Sequence, residues 1–105
     1  MSQLSLLYTT FATQGDAINI SQKLLERQLI ACANLFEGIR SLYLSEGHLE
    51  DTQETAVLLK TTPEKIPELM TALQDLHPYE TPVMLEMPIN RANEPFIKWV
   101  QDCMR

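Results

Sequence analysis

His77-Pro78-Tyr79-Glu80-Thr81-Pro82 places two prolines between a run of helical periodicity and a run of strand character. Each proline fixes its own φ and biases the residue before it, His77 or Thr81, away from the helical region. A helix entering His77 therefore stops there, and the chain leaves extended. Upstream, Ile66, Leu69, Met70, Leu73 and Leu76 keep helical spacing; downstream, Val83-Met84-Leu85-Glu86-Met87 reads as a strand closed by Pro88. The loop is stiffer than a connection requires, because Gly, Asn or Ser would turn the chain as well. It also gathers an imidazole, a phenol, a carboxylate and a hydroxyl. Both a rigid connector and a ligand or metal site fit that composition.

Working outward, Leu4 to Phe11 (LSLLYTTF) reads as a strand, and Gln14-Gly15-Asp16 as a loop with Asp16 as helix N-cap. Ala17, Ile20, Leu24 and Ile18, Leu25, Leu29 then recur at helical spacing, with Lys23, Glu26 and Arg27 on the opposite side. Ala31 to Leu44 forms a second strand whose alternation slips around Gly38, as a β-bulge would make it do. After the turn signal Glu46-Gly47-His48, a third strand returns from Glu50 to Thr61. Thr62-Pro63 opens the helix that runs into His77, with Thr62 as N-cap. Beyond Pro88, Asn90 to Asn93 link to a last helix, with Glu94-Pro95 at its start, Phe96, Trp99, Val100 and Cys103 on one side, and Arg105 at its end.

The order β-α-β-β-α-β plus a final helix describes an α+β fold: a ferredoxin-like sandwich with a long β2-β3 hairpin, in one domain spanning residues 1–105. Strands of about 13 residues at ~3.3 Å each span roughly 40 Å. A compact chain of this length has a diameter of only about 33 Å. The hairpin should project past its own core and pair with a neighbouring subunit.

Eight Lys+Arg against 14 Asp+Glu leave a net charge of −6. No basic stripe exists to neutralise phosphates, so nucleic acid and anionic membrane are excluded as partners. No apolar run is long enough to span a bilayer, and the N-terminal MSQLSLLYTT has no signal-peptide pattern, so the cytoplasm is the expected compartment. Cys32 and Cys103 form no CxxC and read as reduced thiols.

The chain resembles the CutA family, the divalent-cation-tolerance proteins. The pieces are Ala31-Cys32-Ala33-Asn34, Ser41-Leu42-Tyr43, Glu54 with Leu58-Leu59-Lys60-Thr61, the His77–Pro82 loop, a strand ending at Pro88, and Trp99. The resemblance implies a cytoplasmic, ferredoxin-like subunit in a tight homotrimer akin to the PII signalling proteins, linked to Cu(II) and other divalent cations, with no reaction attached. Some members bind copper through a Cys near the end of the first strand and a His-His pair before Pro-Tyr. Those positions hold Thr9 and Leu76 here, and only His77 matches.

His77 is thus the candidate metal ligand or proton carrier, set against the favoured plain reading of a helix C-cap. Lys60 ends an apolar strand and is expected to set its ammonium near Glu80 or Glu54, while Tyr43 and Tyr79 line a ligand crevice between subunits or pack in the trimer interface. Tyr43, Lys60, Tyr79 and Glu80 are the candidate ligand-binding residues. His48, with Glu46, Glu50 and Asp51 nearby, reads as a solvated turn. Three functions fit: a trimeric metal-tolerance or signalling module, a trimeric scaffold, and a small hydrolase or isomerase with His77 as general base. The last lacks GxSxG, HExxH, a P-loop and any nucleophile, so the chain is expected not to be an enzyme.

Overall fold

A computed structural model describes residues 2–104, so the expectation for Arg105 lies outside the described residues. Along β1 (Leu4–Phe11), Ser5, Leu7, Thr9 and Phe11 are at most 1% exposed, whereas Leu6 and Tyr8 on the other face are half-buried. Two helices cover the first face; the other meets Phe96 and Val100 of the C-terminal helix, near Leu4, Leu6 and Lys60. Leu7, Phe11, Val57 and Leu59 pack with Ala17, Ile20 and Leu24 of α1 (Gln14–Glu26) and Leu69 and Leu73 of α2 (Ile66–Leu76). Each fully buried Leu, Ile or Phe contributes about 1.5–3 kcal/mol through removal from water.

The sheet is antiparallel throughout, in the order β2-β3-β1-β4, with β2 (Cys32–Ser45), β3 (His48–Thr61) and β4 (Leu85–Ile89). This is the expected ferredoxin-like arrangement, followed by α3 (Glu94–Cys103). The hairpin turns on Glu46 and Gly47, both at positive φ (51° and 81°), the two-residue geometry that matches strand twist. Its length stretches the protomer to 45 × 26 × 22 Å. The radius of gyration is 14.5 Å, against about 13 Å for a compact chain of this size.

The bulge at Gly38 is present and decides which residues share a face. Phe36 pairs with Ala56, but the next pair is Ile39 with Glu54, so β2 carries one extra residue. Gly38, at φ +69°, supplies the left-handed step. Because side chains alternate with period two, the slip moves the odd-numbered Ser41 and Tyr43 onto the face of Glu54, where Arg40 and Leu42 would otherwise stand.

Several local expectations are corrected. Thr13, not Asp16, caps α1, its hydroxyl accepting the Asp16 N–H at 3.1 Å. Ile18 and Leu25 are exposed, so only the Ala17-Ile20-Leu24 stripe faces the sheet. A 3₁₀ turn, Pro63–Lys65, precedes α2, and Thr62 makes no side-chain cap. β4 begins at Leu85 and runs through Pro88, because β4 is an edge strand and the absent proline N–H breaks no ladder there. In α3 only Val100 is buried, and Trp99, stacked on Phe96 at 5.7 Å, is 48% exposed.

The sheet face away from α1 and α2 stays partly uncovered. Phe36, Leu85 and Met87 lie on it, opposite Ala56, Tyr8 and Leu6, and all three are exposed.

Candidate functional site

His77 ends α2 with its own N–H on the Leu73 carbonyl at 2.8 Å. Its backbone then turns extended (ψ 133°), as Pro78 demands. The ring is buried, stacked on Phe11 with centroids 4.3 Å apart. Nδ1 accepts the Tyr79 N–H at 3.1 Å, and Nε2 lies 2.7 Å from the Thr10 carbonyl oxygen. An N–H can only donate and a carbonyl can only accept. The partners therefore require a neutral imidazole carrying its proton on Nε2. Burial lowers the His77 pKa, outweighing the Thr10 carbonyl and the charges of Asp16 and Glu54. β1 continues past its last pair with β4, Tyr8 with Leu85, and the imidazole meets the Thr10 carbonyl in that stretch.

By fixing the Tyr79 backbone, His77 aims the Tyr79 side chain. The phenol donates to Glu54 Oε2 at 2.7 Å, and the Ser41 hydroxyl donates to Oε1 at 2.7 Å. Burial raises the Glu54 carboxyl, but the hydroxyls of Ser41, Tyr79 and Thr10 outweigh it and hold the group below its ordinary range. Burial and the bond to Glu54 push the Tyr79 phenol well above its usual value, so it stays a donor. Tyr8, Thr10, Ser41, Tyr43, Glu54, Tyr79, Thr81 and Val83 line an open cleft of about 480 Å³ around this carboxylate.

The structure thus brings Tyr43 and Tyr79 together but separates the other two candidates. Lys60 lies six residues from Glu54 on the same strand face, about 20 Å along the strand, with Nζ 5.4 Å from the Phe96 ring centroid. Glu80 is exposed, and its backbone carbonyl accepts the Gln74 side-chain amide at 3.4 Å. Glu54 and Ser41 are the members that pattern reading missed. The signal was the bulge: counting faces through Gly38 puts both on one side.

The sequence profile of the CutA1 divalent ion tolerance proteins matches residues 5–103. The chain belongs to this family. It is 41% identical to the divalent-cation tolerance protein CutA of Thermotoga maritima over 97 residues, 92% of this chain and 95% of that protein. The crystal structure of the divalent ion tolerance protein CutA1 from Ehrlichia chaffeensis superposes with a TM-score of 0.96 at 44% identity, covering 100% of this chain and 98% of that one. CutA1 from Pyrococcus horikoshii gives 0.92 at 34% identity, covering 96% and 98%.

Within this CutA1 family chain the position expected to hold copper does not fit the ion. Leu76 is apolar and packs against the core. Thr9 is a buried hydroxyl without a hydrogen-bond partner, not a thiolate. Both nitrogens of His77 are engaged by the backbone. Cu(II) takes several N/O donors in tetragonal geometry, and here no lone pair is free to begin the set. Among the described residues, no group of three His, Cys, Asp or Glu side chains is placed to hold a metal ion. The free thiols of Cys32 and Cys103 are each half-buried.

Proposed function

We propose that this chain acts in divalent-cation tolerance as a cytoplasmic, non-enzymatic homotrimer, taking divalent ions such as Cu(II) between subunits and not at His77. The observation that carries the trimer is the hairpin, which extends the protomer to 45 Å and leaves its tip and one sheet face apolar and exposed. Leu42, Leu44 and Leu49 on the hairpin are 64%, 73% and 72% exposed. Isolated ribbons and unpaired edges of this kind are stable when another chain covers them. The names of the relatives support the metal role, since the proteins of Thermotoga maritima and Pyrococcus horikoshii are both called divalent-cation tolerance proteins. The occupied imidazole of His77 supports binding over turnover, because a general base needs a free lone pair.

Light scattering at micromolar concentration should give three times the protomer mass; a monomer overturns the assembly. Calorimetry of the metal-free protein with Cu(II) and Zn(II) should show saturable binding that survives His77→Phe and is lost in a Leu85→Glu variant that no longer assembles. Binding that disappears with His77→Phe alone would return the metal to the loop.

A second reading is favoured by the cleft around Glu54: a small-molecule-binding module of PII-like build with no metal role. Saturable binding of an organic ligand, insensitive to chelator, distinguishes it.

A further inference from the structure

We infer that the cleft between Tyr43, Glu54 and Tyr79 is a recognition site for a small organic ammonium group. The inference deepens the small-molecule reading and is independent of metal binding elsewhere.

The cleft offers one carboxylate and no opposite charge. The ion pairs among the described residues are Arg40 with Asp51 and Lys98 with Asp102, and Lys60 lies against Phe96 at the far end of the face. The bonds that Glu54 accepts come from neutral hydroxyls, Ser41 on Oε1, Tyr79 on Oε2, and Thr10 beside them. They orient the carboxylate without cancelling its charge and leave lone pairs open, since a carboxylate has about four acceptor positions. Its full negative charge therefore faces a cleft that is partly out of water. An anionic ligand such as a nucleotide would find a repelling charge and no Lys or Arg on the lining.

The walls decide which cation fits. Tyr8, Tyr43 and Tyr79 all reach the cleft. Tyr43 is 49% exposed in the single protomer, on the sheet face that the proposed assembly covers, so the ammonium would sit at a subunit boundary. Aromatic faces attract weakly hydrated organic cations, and the pull strengthens when the site is desolvated. A hard divalent ion has the opposite needs, namely six or more oxygen ligands and commonly more than one carboxylate. Here a single carboxylate, already accepting 2.7 Å bonds from Ser41 and Tyr79, is the one charged oxygen donor on the lining. The volume, about 480 Å³, lies within the range of small-molecule sites. The geometry is also built in advance. Tyr79 is held at its backbone by His77 and at its hydroxyl by Glu54, so little ordering remains to oppose binding.

The test is a titration of the purified, assembled protein with choline chloride as probe, followed by calorimetry and by shifts of the tyrosine ring resonances, with sodium chloride matching ionic strength and sodium acetate as the anionic control. Saturable binding of choline but not acetate is expected. Glu54→Gln, which keeps shape and hydrogen bonding, should weaken it by about tenfold or more, equivalent to ~1.4 kcal/mol. Tyr43→Ala should weaken it several-fold while Tyr43→Phe retains it, because the ring face and not the hydroxyl makes the contact. Circular dichroism checks that each variant is folded. No saturation at millimolar choline, or affinity indifferent to both Glu54→Gln and Tyr43→Ala, overturns the proposal. So does Zn(II) displacing choline through Glu54, which would make the cleft a metal site; Zn(II) bound without displacing choline leaves it standing.

Discussion

Replacing His77 by Phe isolates what the imidazole does in the fold. The ring remains, so the stack on Phe11 at 4.3 Å and the filled volume are largely kept. Two polar groups lose their partners: the Thr10 carbonyl, on a buried residue, and the Tyr79 N–H, which is partly buried. A buried acceptor left unpaired costs about 1–3 kcal/mol, and the half-exposed N–H about 1 kcal/mol because water can reach it. The expected loss is therefore about 3 kcal/mol, or roughly 12 °C in Tm at about 4 °C per kcal/mol. The pH dependence is more diagnostic. The pKa of His77 is lowered in the native state, by burial first. On acidification the unfolded chain takes up the proton before the native one. The histidine's contribution is thus complete above the ordinary value of 6.5, falls as pH drops below it, and is gone below the native value. Urea unfolding of the wild type and His77→Phe at fixed protein concentration should show a gap that is widest at neutral pH and narrower near pH 5. A gap below about 0.5 kcal/mol at neutral pH, within the range of ordinary surface changes, would refute the bonding assignment. A gap that widens on acidification would refute the neutral tautomer.

Deleting Gly38 should return Arg40 and Leu42 to the face of Glu54, abolishing cleft binding while urea unfolding of the core persists; retained choline binding would show that the bulge does not set the site. Thr9→Val should be neutral or stabilising by up to about 1 kcal/mol, because its buried hydroxyl has no partner. Thr61→Val, by contrast, strands the Leu29 carbonyl that the Thr61 hydroxyl reaches at 2.8 Å, and should cost about 1–3 kcal/mol by urea titration. Leu69→Ala, at a fully buried position of α2, should cost about 2–5 kcal/mol. Asp51→Ala breaks the pair with Arg40 on the solvent-exposed hairpin and should leave the unfolding midpoint unchanged, since screened surface pairs contribute little.

Local chemistry alone was enough to read the element order, the end of α2 at His77, the Gly38 slip and the projecting ribbon. Each follows from restrictions written into single residues or short spacings: proline φ, left-handed glycine, and the periods of helix and strand. Pro88 misled because whether a proline ends a strand depends on the edge position, which is set by the pairing of β4 with β1 rather than by anything near residue 88. The site was legible only in pieces. Tyr43 and Tyr79 stood out as aromatic, but Glu54 drew its meaning from Ser41, Thr10 and Tyr79, which lie on other strands and a loop. Lys60 looked like a partner for Glu54 until the strand's rise put about 20 Å between them. His77 shows the division most plainly. Its place at a helix end was dictated by the next residue, Pro78. The use of both its nitrogens depended on Thr10, 67 positions away in the chain, and only packing could bring that carbonyl to the ring.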